Sequence, residues 1–401
     1  MEKIVVVGAG QAGASCVARL RQKGFDGGIT LFGAEPVPPY QRPPLSKKYL
    51  TGEMALERLF LRPESFYSEN AIDLRTGTAV TAIDAAAKTV LTADGAEPYD
   101  RLVLATGSQP RHLPAAIGGD LAGVYAVRSL ADVDAMAAEF QAGRRVLIVG
   151  GGYIGLEAAA VAALRGLDVT LVEAAPRILQ RVAAPETSEF FRKLHGDHGV
   201  TIIEGTGLAH LTGSDRVTGA VLADETELVA DFVIVGIGIL PDTGLAETAG
   251  LVTDNGIIVD ATCRSSDPDI FAIGDCAAFP HGGGRLRLES VPNAIDMGEV
   301  AADVIAGLPA TYTARPWFWS DQYDVTLQIA GLNTGYDQVI TRQGARGPSF
   351  WYFGTGRLLA VDAANDPRAY MMGKRWIEAG HSPQATDIAD ADAELKGMAV
   401  T

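Results

Sequence analysis

Twice in this chain an apolar run enters a GxGxxG turn, continues into a helix-compatible stretch, and ends on a second apolar run with an acid beyond it. The first copy runs from residues 4–7 (Ile-Val-Val-Val) through Gly8, Gly10 and Gly13 to a helix ending near Arg21, with Gly24 as its stop; residues 29–32 and Glu35 follow. The second runs from residues 146–149 through Gly150, Gly152 and Gly155 to a helix ending near Arg165; Gly166, residues 169–172 and Glu173 follow. Glycines at these spacings permit a tight turn and let backbone N–H groups approach a pyrophosphate, whose charge the helix N-terminus favours. A carboxylate about 20 residues on is placed for a ribose hydroxyl. One such pattern is weak evidence. Two, each set between strand and helix, ask for two dinucleotides: a flavin and a nicotinamide nucleotide. Glu173 suits the ribose diol of NADH and opposes the extra phosphate of NADP, with Arg177 and Arg181 nearby pulling the other way.

The remaining landmarks divide the chain. With 401 residues it exceeds what one core organises. Strand-to-Gly/Pro breaks at 102–110 and 232–241 bracket the second unit. This predicts an α/β protein with a first nucleotide-binding domain over 1–108 and 241–315, a second over 109–240, and a smaller α+β domain over 316–401. In the last, 316–324 is an aromatic cluster, 325–329, 338–342 and 349–353 have strand character, and 366–380 has helix character. The tail after Gly380 is polar and is expected to be an extended arm. Asp275, at the end of an apolar run, can take a ribityl hydroxyl of FAD or cap a helix; the sequence allows both.

Composition excludes several classes. The net charge of −16 argues against nucleic acid as a partner. No apolar run is long enough to span a bilayer, and the first strand starts too early to leave room for a leader, so the expected location is the cytoplasm, away from membranes. Cys16, Cys263 and Cys276 have no close spacing, which predicts neither a disulfide framework nor a metal site.

Several stretches carry a resemblance: GxGxAG at 8–13, Tyr-Gln-Arg-Pro-Pro-Leu-Ser-Lys at 40–47, Ala-Thr-Gly at 105–107, and Gly-Gly-Gly-Tyr-Ile-Gly-Leu-Glu at 150–157. Gly-Asp-Cys at 274–276, Glu-Ser-Val-Pro-Asn-Ala at 289–294 and Pro-Trp-Phe-Trp-Ser-Asp-Gln at 316–322 complete the set. Over nearly its whole length the chain resembles the oxygenase-coupled, NADH-dependent ferredoxin reductases. The resemblance implies a glutathione-reductase-like architecture with two Rossmann-like domains, and makes the first the FAD-binding and the second the NADH-binding domain, with FAD between the first and third domains and NADH on the second. By matching position, FAD contacts would include Gly8, Gly10, Ala12, Gly13, Ala34, Glu35, Arg42, Lys47, Val80, Ala105, Thr106, Gly107, Arg128, Gly274, Asp275, Glu289, Ser290, Val291 and Trp319. NADH contacts would include Gly150, Gly152, Tyr153, Ile154, Gly155, Glu173 and Gly238. The implied activity is NADH:ferredoxin oxidoreductase. Hydride passes from NADH to the flavin, and a [2Fe–2S] ferredoxin carries electrons singly to a cytochrome P450 or ring-hydroxylating dioxygenase.

Glu157 is out of character among Leu156, Ala158, Ala159, Ala160 and Val161. A buried lone carboxylate costs several kcal/mol, more than the roughly 2 kcal/mol a helix dipole returns. Either it is exposed, or it has a partner. The resemblance supplies Lys47, pairing with it beside the flavin and tuning hydride transfer. Trp319 is implied as a screen over one flavin face near the electron exit; a core aromatic is the plainer reading. An acidic ferredoxin would need a local basic patch on so acidic a chain, with Arg285, Arg287, Arg315, Lys374 and Arg375 as candidates. Glu299 stands where a relative carries a partner-contacting arginine. The expected state is a monomer or a weak NADH-favoured dimer. Related two-dinucleotide flavoproteins set the alternatives: a rubredoxin reductase, or an NADH-responsive redox-sensing interaction protein resembling apoptosis-inducing factor. Thiol-based reductases and peroxidases are disfavoured because the stretch from Arg42 to Lys47 holds no cysteine.

Overall fold

The computed structural model describes residues 2–401. The chain divides into two compact units, one built from Met1–Arg42, Met54–Gln109 and Ile239–Arg315, the other from Pro43–Glu53, Pro110–Gly238 and Pro316–Thr401.

The first unit is organised by a parallel five-stranded sheet in the order Ile270–Ala272, Arg101–Leu104, Lys3–Val7, Gly28–Phe32, Ile72–Arg75. Ile4, Val5 and Val6 on the central strand have no solvent exposure, which is why this strand is an unbroken apolar run instead of an alternating one. Helix Gln11–Gln22 follows the first strand and packs on helix Val291–Ile305. A Cβ on Gly298 would stand 2.7 Å from the Ala12 carbonyl oxygen, so the helices meet backbone to backbone there. Arg19 clamps Asp303 with two hydrogen bonds of 2.8 Å across the same contact. A small antiparallel sheet, Val80–Asp84 with Thr89–Thr92 and Gly95–Pro98, completes the unit's main elements.

The second unit repeats the plan: a parallel sheet ordered Thr201–Glu204, Asp168–Glu173, Arg145–Val149, Phe232–Val235, Val124–Tyr125. Its first helix, Tyr153–Leu164, is buried from Gly155 through Ala162, matching its lack of a polar face. An antiparallel sheet then runs Trp317–Gln322, Val325–Gly331, Arg357–Ala364, Pro348–Gly354, Gln338–Gln343. Helix Pro367–Ala379 covers it, seated so closely that a Cβ on Gly373 would lie 2.5 Å from the Val361 side chain.

Two of these strands were not expected. Trp317–Gln322 reads in sequence as an aromatic cluster, and Arg357–Ala364 is buried on both faces and shows no alternation. The tail also differs from the expected arm. It forms the helix Ala385–Ala389, buries Ile388 and Leu395, and is held by Arg342, which donates to the carbonyls of Ile388, Asp390, Ala391 and Ala393. Two apolar anchors in a polar stretch, and one distant arginine, decide its course. No helix among the described residues is long and apolar enough to cross a membrane.

Candidate functional site

The two GxGxxG turns fold to the same measurements. Gly8 and Gly150 sit at φ +114° and +109°. A Cβ on Gly8 would meet the Ala105 carbonyl oxygen at 2.1 Å, and one on Gly150 the Gly236 carbonyl oxygen at 2.4 Å. The last glycines, Gly13 and Gly155, would meet the oxygens of Gly8 and Gly150 at 2.1 and 2.0 Å. The chain's own backbone therefore demands those four glycines. Gly10 and Gly152 are different: a Cβ there would find nothing within 4 Å. Packing leaves open space in front of both helix N-termini, where an anion binds best. Both turns thus fit a dinucleotide pyrophosphate.

Other predicted residues of the first unit are fixed by hydrogen bonds and packing of their own. Glu35, after exposed Ala34, accepts from Arg42 Nη2 and from the Tyr40 hydroxyl, each at 2.7 Å. Thr106 Oγ1 donates to the Asp242 carbonyl at 2.6 Å, and Gly107 turns at φ +73°. Gly274 packs on Ala12: an added Cβ would lie 3.0 Å from that of Ala12. Asp275 accepts from Ser108 Oγ at 3.0 Å and caps no helix; Ser290 caps the helix that begins at Val291. Glu289 pairs with Arg287 at 2.7 Å, and Val80 opens the small antiparallel sheet. Because Arg287 is occupied by Glu289 and by the Asp275 carbonyl, it is withdrawn from the docking candidates; Arg285 and Arg315 are exposed.

In the second unit, Glu173 Oε2 accepts from the Gly151 N–H and Oε1 from the Ala175 N–H, both at 2.7 Å. Its carboxylate ties the glycine turn to the next strand and keeps lone pairs for a further donor. Gly238 turns at φ +97° near Arg181 and Arg111. Tyr153 lies against Phe318 at 5.0 Å between ring centres, and neighbouring Ile154 is exposed. Arg128 also belongs to this unit, its N–H bonded to Asp132 at the start of helix Leu130–Ala137.

Two residues beyond Gly155, Glu157 is buried, 6% exposed. Lys47 Nζ reaches Glu157 Oε1 at 3.0 Å; Ser320 Oγ donates to the same oxygen at 2.7 Å and Ser46 Oγ to the other at 3.1 Å. Burial pushes the Glu157 carboxyl above its ordinary range, against the pull of Lys47 and these donors. Lys47 also lies 3.9 Å from Asp321. Sequence reading found Lys47 and Glu157 but missed Ser46, Ser320, Gln322 and His195. The signal was there in Ser320 and Gln322, two polar residues with strand spacing inside an aromatic segment. Trp319 is half-buried, stacked on Trp317 at 5.6 Å; Lys374 lies 4.9 Å over the Trp317 ring, and Arg375 is exposed. All three cysteines are buried: the Cys16 thiol is pushed up to about 12, and burial raises those of Cys263 and Cys276 as well. None is suited to thiolate chemistry.

Residues 2–298 match the family described as pyridine nucleotide-disulphide oxidoreductase, and residues 317–399 match the family described as reductase C-terminal. The chain belongs to this oxidoreductase family. A ferredoxin–NAD(P)(+) reductase of Sphingomonas sp. is 46% identical over 94% of this chain and 92% of its own length. The ferredoxin reductase subunit of a 5,5'-dehydrodivanillate O-demethylase, from Sphingobium sp., is 44% identical over 98% and 97%. The solved covalent putidaredoxin reductase–putidaredoxin complex contains a chain of the same fold, with a TM-score of 0.95, 40% identity, and coverage of 98% of this chain and 97% of that one. Among these pyridine nucleotide oxidoreductases the chain stands with the ferredoxin reductases, and its buried, unpaired cysteines set it apart from members that use thiols.

Proposed function

We propose that this oxidoreductase binds FAD and NADH in its two glycine turns and reduces a [2Fe–2S] ferredoxin serving an oxygenase, a cytochrome P450 or a ring-hydroxylating dioxygenase. The observation that carries the reading is the pair of open positions at Gly10 and Gly152, each in a turn whose other glycines the backbone itself requires. Gly8, Gly10 and Gly13 with Glu35, Arg42 and Asp275 hold the FAD; Gly150, Gly152, Gly155 and Glu173 hold the NADH. FAD, when bound, takes a hydride from a nicotinamide and gives up its electrons one at a time. Lys47 and Glu157, the latter two residues past the second glycine motif, act on the hydride-transfer step by fixing a compensated charge pair close to the nucleotide. Trp319 serves electron exit. Support for the acceptor comes from the relatives, which are named for ferredoxin reduction.

The test is anaerobic stopped flow on FAD-loaded protein with NADH and NADPH, followed by turnover with [2Fe–2S] ferredoxins, a rubredoxin and cytochrome c alone. The reading expects NADH to act faster than NADPH, and ferredoxin to raise cytochrome c reduction strongly. Rubredoxin as the better acceptor would replace the partner. No stimulation by any carrier would leave the redox-sensing alternative.

A further inference from the structure

From Glu157 a line of hydrogen bonds runs away from the ion pair through the interior of the second unit. Ser320 Oγ lies 2.7 Å from Glu157 Oε1, Gln322 Nε2 lies 3.1 Å from Ser320 Oγ, His195 Nε2 lies 2.8 Å from Gln322 Oε1, and the Tyr323 hydroxyl lies 3.0 Å from His195 Nδ1. Ser320, Gln322 and His195 are buried; half-buried Tyr323 stacks at 3.7 Å on the ring of exposed His198. Ser320 and Gln322 are two apart on one strand and so share a face. His195 comes from helix Pro185–Asp197.

Counting protons fixes the direction of every bond. A carboxylate only accepts. Ser320 has one proton, and it goes to Glu157, so the serine oxygen must accept from the Gln322 amide NH2. Gln322 then turns its carbonyl oxygen to His195, which must carry its proton on Nε2. The bare Nδ1 accepts from Tyr323. Burial drives the His195 imidazole down to about 4, so the ring is neutral at pH 7, as this scheme requires. Were Glu157 protonated, it would donate to Ser320. The serine oxygen has a second lone pair for that donor, so the Gln322 bond can stay as it is while the serine proton leaves the carboxylate.

We propose that His195 and Gln322, acting through Ser320, are positioning residues for the Lys47–Glu157 pair: they hold the serine proton on the carboxylate and so fix the pair's charge and orientation. The inference rests on the reading that this pair serves hydride transfer. Charged groups facing Glu157 are Lys47, from the turn Leu45–Tyr49, and through it Asp321, from strand Trp317–Gln322. The parallel strands packed on the same helix contribute buried apolar side chains there. Around His195 the titratable neighbours are Tyr323 and His198.

Two measurements on the FAD-loaded protein test this. Nitrogen-15 NMR of labelled histidines in the unmutated protein should show His195 neutral at pH 7 with its proton on Nε2; a proton on Nδ1, or a charged ring, overturns the relay. Infrared titration of Gln322→Leu and His195→Leu, with Glu157→Gln to identify the band, should show a protonated Glu157 carboxyl persisting to higher pH than in the unmutated protein. His195→Gln, which keeps an amide donor, should restore the ionised form. Carboxyl titrations that coincide in all these proteins overturn the proposal. Hydride transfer from NADH at pH 7 should slow on the order of tenfold in the leucine variants, as for loss of one hydrogen bond to a charged group. If the infrared shift occurs and that rate is unchanged, the relay stands and the assignment of Lys47–Glu157 to hydride transfer fails.

Discussion

At the scale of residues, the glycines separate what the fold needs from what a ligand needs. Gly8→Ala should unfold or strongly destabilise the first unit. The positive φ alone costs about 1–3 kcal/mol, and the methyl would stand 2.1 Å from a carbonyl oxygen. Gly10→Ala should leave the denaturation midpoint nearly unchanged, because its methyl meets no protein atom. It should still weaken FAD binding by roughly tenfold or more, as overpacking does at about 1–3 kcal/mol. Denaturation curves and flavin titration of the two variants check the contrast; equal loss of stability would contradict it. Lys47→Ala poses a different problem. It leaves the buried Glu157 without its cation, a loss on the order of 3–5 kcal/mol when one partner of a buried pair is removed. Flavin reduction by NADH should slow, and adding Glu157→Gln should return most of the stability without the rate. Unchanged hydride transfer in Lys47→Ala would remove the pair from the mechanism.

At the scale of elements, the second unit buries two titratable groups whose pH effects oppose. Asp362, on strand Arg357–Ala364, accepts from Thr187 Oγ1 at 2.9 Å and from the Tyr352 hydroxyl, with no cation beside it in these bonds, and burial raises it to about 6. A carboxyl raised in the folded state binds its proton more tightly there, so its contribution is complete below the unfolded value near 3.8 and is lost as pH rises to about 6. His195, lowered to about 4 from 6.5, does the reverse: its contribution is complete above 6.5 and is lost as pH falls to about 4. Between about pH 4 and 6 the two should nearly cancel. Relative to the unmutated protein, Asp362→Asn should therefore make stability rise with pH across that window, and His195→Gln should make it fall, each by on the order of 2–3 kcal/mol. Parallel curves for the two variants would show that the groups are not linked to folding in this way. The same elements show what the sequence conveyed. Short buried strands before the glycines, and helices stopped at Gly24 and Gly166, were legible because local patterning and tertiary packing agree there. Arg357–Ala364 was not, because burial on both faces erases alternation, and Trp317–Gln322 was not, because its buried face carries the polar Ser320 and Gln322 while its aromatics are only half-buried. The Glu157 neighbourhood was half legible: a carboxylate in an apolar helix demands a partner, but Ser320, Gln322 and His195 come from distant segments that only the folded chain assembles.

At the scale of the whole molecule, a net charge of −16 shapes how an electron carrier can be met. Attraction of an acidic ferredoxin must come from local cations, of which Arg285 and Arg315 in one unit and Arg375 in the other are exposed, while Lys374 is paired with Glu378. Carrier-dependent turnover should then fall as salt is raised, while the NADH half-reaction changes little, since a screened encounter is the only step affected. Turnover independent of salt would point to an apolar docking surface instead. All of this depends on one chain loading two nucleotides and passing electrons from one to the other and onward. The most direct test is an anaerobic spectrum of the purified protein, first with NADH and then with oxidised [2Fe–2S] ferredoxin. The account predicts a yellow protein that NADH bleaches and ferredoxin re-colours, two ferredoxins being reduced for each NADH consumed. A protein that takes up no flavin, or whose flavin NADH leaves yellow, would contradict it.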